Sequence, residues 1–284
     1  MPSNKKILVI YHKNCRDGFG SAWVAWKKFG SKAEYFGASH PSFPSKILKG
    51  KEVYMLDFCY STEEMKKAKK MAKKITVIDH HASQRQAIKI ADDYVFEMKH
   101  SGSVLSWKYF FPGKKVPKLL LYIEDKDIWK FSLKNTEEYL SFLETQKFDF
   151  KLWNKLIKDF EIPAKRKSFY EKGSSILEFS KRNIKDVASS AEWVTFNNHR
   201  CLAVNSPLYV SEIGHVLALK AKGMAIIWNK KGSKLKVSLR SNGKVDVAKI
   251  ALKRGGGGHK TAAAFTVDIP TSGTLKFPWR SVSK

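Results

Sequence analysis

Three apolar runs constrain this chain most, because each stops on ionisable residues. KKILVIYH (5–12) leads into His12, Cys15 and Asp17. KEVYMLDFCY (51–60) brings in Asp57, and ITVIDHH (75–81) ends in Asp79, His80 and His81. Helix patterns stand between them. GSAWVAWKKFG (20–30) closes on a C-cap-like Gly30, and STEEMKKAKKMAKK (61–74) opens with Ser61 or Thr62 and the Glu64 of a capping box. Strands alternating with helices predict a parallel, doubly wound sheet. In such a sheet the strand ends share one edge, so residues spread over about 70 positions converge in space.

The pattern continues downstream. HSGSVLSWKYFF (100–111) reads as a helix entered through the turn Ser101-Gly102-Ser103, and KLLLYIEDKDIWKF (118–131) is an apolar run ending in Asp125 and Asp127. Residues 136–190 read as a helical connector broken at Pro163. From 191 onward, strand-like pieces (AEWVTFNNHRCLAVNS, GMAIIWNKK, KLKVSLRS, AAAFTVDI) bracket helices at 211–222 and 245–253. The expected architecture is a bilobed α/β protein. It has a parallel doubly wound N-terminal domain (1–135), a helical connector (136–190) and a smaller α/β C-terminal domain (191–284).

No apolar run approaches the ~18 residues of a membrane span. The basic start MPSNKKILVI lacks the apolar region and cleavage site of a secretory signal. Three cysteines, Cys15, Cys59 and Cys201, are too few for a disulfide framework. A cytoplasmic protein is therefore expected. The 53 basic residues against 26 acidic ones leave a net charge of +27. That is beyond what solubility needs, and it attracts polyanions, single-stranded or oligomeric nucleic acid ahead of anionic membrane.

Two constellations carry chemistry. An Asp beside a His is usually a hydrogen-bonded surface pair. Here, however, His12, Cys15, Asp17, Asp57, Asp79, His80 and Asp125 together offer two imidazoles, four carboxylates and a thiol. Imidazole and carboxylate suit first-row divalent ions such as manganese, zinc or iron. The count matches two metals about 4 Å apart sharing one carboxylate. Asp125 is preferred to Asp127 because it ends the apolar run, with Asp127 as its support. The second constellation is LKRGGGGHKTAAAF. A flexible linker would explain four glycines. A turn with exposed N–H groups, Gly255, Gly256, Gly257 and Gly258, flanked by Arg254, His259 and Lys260, makes a better phosphate cradle. Arg240, in SLRS, offers a bidentate fork for the same anion.

With these residues in place, the chain resembles DHH-family phosphoesterases with a DHHA1-type C-terminal domain. The namesake motif is Asp79-His80-His81. The first family motif matches His12 to Gly18, the second Asp57 and the fourth the acid of YIEDKDIW. SLRSNGKVDVAKIALKRGGGGHKTAAAF resembles the C-terminal signature. The resemblance implies a bilobed hydrolase of phosphodiester or phosphoanhydride bonds using two divalent ions, manganese first, with magnesium or another divalent ion as alternative. It implies that His12 and Asp57 hold one ion, and that Asp17, Asp57, His80 and Asp125 hold the other. Asp79 would orient His80, and His81 would sit near the phosphate. Ser101, Gly102, Ser103, Arg240, the glycines and His259 would meet the substrate. Many family members carry an acid where Cys15 stands. The HxxCxDG form resembles the nanoRNase or cyclic-mononucleotide phosphodiesterase branch, and a thiolate favours softer ions.

Three functions stay open on the sequence. One is a metal-dependent exonuclease acting on short or single-stranded nucleic acid. Another is a small-substrate phosphohydrolase, such as a cyclic-nucleotide phosphodiesterase or pyrophosphatase. The third is a nucleic-acid-binding protein without catalysis. Between Leu219 and Lys260 stand twelve Lys or Arg and one acid, Asp246, which favours the first. Oligomeric state is not readable from the sequence.

Overall fold

The computed structural model describes residues 5–39, 43–269 and 277–281. Residues 1–4, the start of the segment read for a signal, lie outside these. The chain divides into two compact units, 1–177 and 178–284.

The first unit is built on five parallel strands: β1 (Ile7–His12), β2 (Ala33–Ala38), β3 (Glu52–Leu56), β4 (Lys74–Asp79) and β5 (Asp93–Phe96). Their order is β2-β1-β3-β4-β5, and every pairing is parallel. The edge strands β2 and β5 have no apolar run of their own and escape a reading by pattern. Helices α1 (Arg16–Phe29), α2 (Ser45–Leu48) and α3 (Thr62–Met71) connect the strands. Ser61 caps α3, in a reciprocal capping box with Glu64. Five more helices follow: α4 (Gly102–Phe110), α5 (Lys118–Asp127), α6 (Thr136–Glu144), α7 (Phe150–Phe160) and α8 (Pro163–Ser189). Pro163 separates two helices by opening α8, where its missing N–H costs nothing.

The segment 136–177 is not a separate connector. Tyr139, Leu140, Leu143, Trp153, Leu156, Ile157 and Phe160 join Val9, Trp23, Leu56 and Trp107 in one buried cluster on one face of the sheet. A second cluster, including Leu8, Ile10, Val53, Met55, Ile75 and Val77, covers the other face. Successive residues of β1 thus serve opposite cores, as strand alternation requires.

The second unit holds β6 (Glu192–Phe196), β7 (His199–Asn205), α9 (Val210–Lys220), β8 (Met224–Lys231), β9 (Lys234–Ser241), α10 (Val247–Leu252), β10 (Gly257–His259), β11 (Ala262–Asp268) and β12 (Arg280–Ser281). The seven strands run β10-β11-β9-β8-β7-β6-β12, with only β7 and β8 parallel among the described residues. Helix α10 covers Leu235, Val237 and Leu239 on one face, and α9 covers Ala225 and Ile227 on the other. Among the described residues no helix is long and apolar enough to cross a membrane.

Candidate metal centre

Strand order reverses direction between β1 and β3, and the crevice beyond the carboxyl ends at such a point is where open α/β sheets place ligands. His12 ends β1, Asp57 follows β3 and Asp79 ends β4. Two glycines let the surrounding segments close in. A Cβ on Gly18 would stand 2.2 Å from the His12 carbonyl oxygen, and one on Gly102 would stand 2.5 Å from Asp57 Cβ. Both distances are impossible, so glycine is required at each position. Asp57 itself has φ of 53°, an unfavourable backbone state for a side chain other than Asn or Asp, and of the kind that clusters at functional sites.

Asp57 lies at the middle of the cluster. His12 Nδ1 stands 3.4 Å from its Oδ2, His80 Nε2 3.2 Å from Oδ1 and His81 Nδ1 3.8 Å from Oδ1. His80 Nε2 is also 3.4 Å from Asp127 Oδ2 and 4.0 Å from Asp17 Oδ2. Three sets of donor atoms fall within 4.8 Å of one another: His12 with Cys15 and Asp57; Asp17 with His80 and Asp127; and Asp57 with Asp79, His80 and His81. Asp57 and His80 each belong to two sets.

The structure relocates some of the expected roles. Asp127 joins the cluster and Asp125 does not. Asp125 accepts from Ser132 N (2.8 Å) and Oγ (2.9 Å), Leu133 N (3.1 Å) and Thr136 Oγ1 (2.6 Å), so its carboxylate is spent on the loop that leads into α6. Residues 118–127 are helical, and positions two apart on a helix point about 200° apart. Asp79 orients His81: its Oδ1 pairs with His81 Nδ1 at 2.7 Å, and it also accepts the His80 backbone N–H at 2.8 Å. Ser101, Gly102 and Ser103 are buried, and the N–H groups of Gly102 (2.6 Å) and Ser103 (3.0 Å) donate to Asp17. The N-terminus of α4 thus holds a carboxylate belonging to the protein itself.

The electrostatics favour cations. Burial, then the Asp57 and Asp127 charges, push Asp17 well above the ordinary carboxylate range against the pull of His80 and Ser103. Asp127 is pushed up to about 6, by burial first and Asp57 after it, although His80 opposes them. Asp57 stays below the ordinary range, because His12 and His80 outweigh the burial that would raise it. Burial would lower His80, but Asp57, Asp127 and Asp17 raise it to about 10. Burial raises the Cys15 thiol well above its ordinary value, with the surrounding carboxylates adding to the effect. Asp79 Oδ2 is buried without a hydrogen-bond partner, and Asp57 Oδ2 has His12 nearby but accepts no well-formed bond. Orphaned buried carboxylate oxygens and like charges crowded together fit divalent ions. His12, Cys15, Asp17, Asp57, Asp79, His80, His81 and Asp127 supply the donor sets that could hold them.

In the second unit, the glycine run is a turn at Gly255 that passes through Gly256 into a strand. Gly257, Gly258 and His259 form β10 and pair with Ala264, Ala263 and Ala262. A Cβ on Gly256 would stand 2.1 Å from Ala264 O, and one on Gly258 2.4 Å from Ala262 O, which explains glycine at both. The guanidinium of Arg254, which flanks the run, lies over the rings of Phe196 (4.7 Å) and Phe265 (5.6 Å). Register sets Arg240 and His259 on either side of Ala262 on one sheet face. Arg240 donates from Nη2 to Ser211 Oγ at 2.9 Å and from Nη1 to the Leu239 carbonyl at 2.9 Å.

Comparison with known proteins agrees with this architecture. Residues 211–272 match the DHHA1 domain. An uncharacterized protein of Acanthamoeba polyphaga mimivirus is 32% identical over 283 residues, covering 90% of this chain and 66% of that protein. The chain therefore spans about two thirds of the length of this relative. The crystal structure of an exopolyphosphatase-related protein from Bacteroides fragilis superposes with a TM-score of 0.52 at 15% identity, covering 96% of this chain and 88% of that one. A pGpG-specific phosphodiesterase from Vibrio cholerae gives 0.48 at 13% identity, covering 93% and 94%. Residues 211–272 are thus a domain of the DHHA1 type, and the chain shares the fold of the exopolyphosphatase-related protein.

Proposed function

We propose that the chain is a metal-dependent phosphodiesterase that shortens single-stranded or short nucleic acid to mononucleotides. The observation that carries this reading is the sharing of Asp57 between two donor sets at the sheet edge. Bound to these residues, two divalent ions, manganese first, would supply an activated water and neutralise phosphate charge. The protein's own residues do the rest. The α4 N-terminus fixes Asp17, and the Asp79–His81 pair fixes the His81 ring, which would pass a proton to the leaving oxygen. Arg240 and His259 offer donors on one face of the second unit's sheet and bind backbone phosphate. The twelve basic residues between Leu219 and Lys260 favour a polymer over a lone mononucleotide.

The test is a gel assay with manganese and end-labelled RNA and DNA oligomers of several lengths. Stepwise shortening that stops with chelator and in His80→Ala supports the proposal. Turnover of cyclic mononucleotide or pyrophosphate without any shortening of oligomers sinks it in favour of a small substrate.

A further inference from the structure

A cavity of about 290 Å³ opens beside the metal-binding segment, inside the first unit, lined by Tyr11, Lys13, Asn14, Phe19, Gly37 and Phe148. Three of its six residues are aromatic. Phe19 anchors the wall from the core, with Tyr11 set edge-on at 5.9 Å and Phe148 at 5.1 Å between ring centroids. Phe148 remains 44% exposed and presents free ring area. Lys13 and Asn14 lie exposed at the rim. The volume is at the small end of ligand cavities and suits one planar ring system.

The position gives the cavity its meaning. Tyr11 and Lys13 flank His12 in the chain, and Phe19 follows Asp17 by two residues. One short segment therefore lines the cavity with some side chains and the metal centre with others. Gly37 on β2 is paired with Tyr11, and a Cβ there would stand 3.2 Å from Lys13 Cγ and 3.3 Å from Tyr11 Cζ and Oη. Glycine at 37 keeps the space between these two side chains open. Aromatic walls stack any base, an amide at the rim can meet its polar edge, and a cation beside it suits an attached phosphate.

We infer that this cavity is a nucleobase subsite, which holds the base of a nucleotide at the metal centre by stacking on Tyr11 and Phe148 with Lys13 at its phosphate. The inference rests on the phosphodiesterase reading for its substrate class, but its test needs no turnover. Adenosine and uridine monophosphates are compared with ribose 5-phosphate by equilibrium dialysis against the full chain. Phe148→Ala removes the exposed ring from a loop, and Gly37→Leu fills the cavity from β2, with circular dichroism checking the fold of each. The nucleotides should bind about five- to hundred-fold tighter than the sugar phosphate, and both variants should erase that preference. Equal binding of all three compounds to wild type overturns the inference, as does preference retained in either folded variant. Base-dependent binding in a chain that hydrolyses nothing would keep the subsite and sink the enzyme. Hydrolysis of dinucleotides without base preference would do the reverse.

Discussion

Asp125 and Asp127 stand two residues apart at the end of α5, and their carboxylates face different neighbours. Asp125 gathers Ser132, Leu133 and Thr136, while Asp127 lies 3.4 Å from His80 Nε2. Substitution should separate the two. Asp125→Asn puts an amide among donors and should cost about 1–3 kcal/mol of stability while leaving manganese-induced stabilisation in place. Asp127→Asn relieves crowding with Asp57 and should hold or raise Tm without metal, while cutting the rise on adding manganese. Thermal melts with and without manganese check both. Loss of the manganese effect in a folded Asp125→Asn chain would return Asp125 to the centre.

This pair also marks how far the centre was legible in the sequence. Asp57, Asp79 and His80 stand out because each follows an apolar strand, and parallel strands bring their ends together. Asp127 does not, because its run reads equally as a strand, where Asp125 and Asp127 would point the same way. Only the helical period separates them. The glycines at 256 and 258 are explained by contacts with Ala264 and Ala262, which the local sequence does not reveal as neighbours. The edge strands β2 and β5 were hidden for a related reason: the mixed side chains of β2 and the four-residue length of β5 leave little periodicity.

Asp57 should be the least replaceable residue of the centre. Asp57→Asn weakens both donor sets to which it belongs, whereas His12→Ala touches one. Oligomer hydrolysis should fall further in Asp57→Asn than in His12→Ala. Asp79→Asn acts through His81 and should cost about 10–100-fold in activity or metal affinity. Rates of oligomer cleavage and manganese titrations read these effects, and near-normal activity in Asp57→Asn would refute the shared-carboxylate arrangement.

Glu124 should act at a distance from the centre. Its Oε2 accepts the Ser101 N–H at 2.9 Å and pairs with His100 Nδ1 at 3.0 Å, and Lys108 Nζ lies 2.6 Å from His100 Nε2. Ser101 opens the turn whose next two N–H groups hold Asp17. Glu124→Ala should lower kcat with little change in KM, and Glu124→Gln, which keeps an acceptor for Ser101, should recover much of the loss. A loss confined to KM, or no rescue by Gln, would remove this positioning role.

The last expectation concerns which basic residues serve a polymer. Strand alternation sends Leu235, Val237 and Leu239 toward α10, so Lys234, Lys236 and Arg240 share the opposite, α9 face of β9. His259 lies on that face two strands away, across Ala262. Lys249 belongs to α10 and Lys253 follows it, on the other side of the sheet, and the Arg254 guanidinium is engaged by Phe196 and Phe265. If the α9 face follows a phosphate backbone, each neutralised phosphate releases counterions. Affinity for single strands should then fall with salt at a log–log slope of about −0.7 per contact. Reversing Lys234 and Lys236 to Glu should make that slope shallower and cut kcat/KM for long oligomers far more than for dinucleotides. The same reversal at Lys249 and Lys253 should leave both nearly unchanged. The measurement is kcat/KM against oligomer length at two salt concentrations for wild type and the two double variants. Equal losses at every length, or equal effects from the two faces, would show that the +27 charge is diffuse and plays no part in substrate choice.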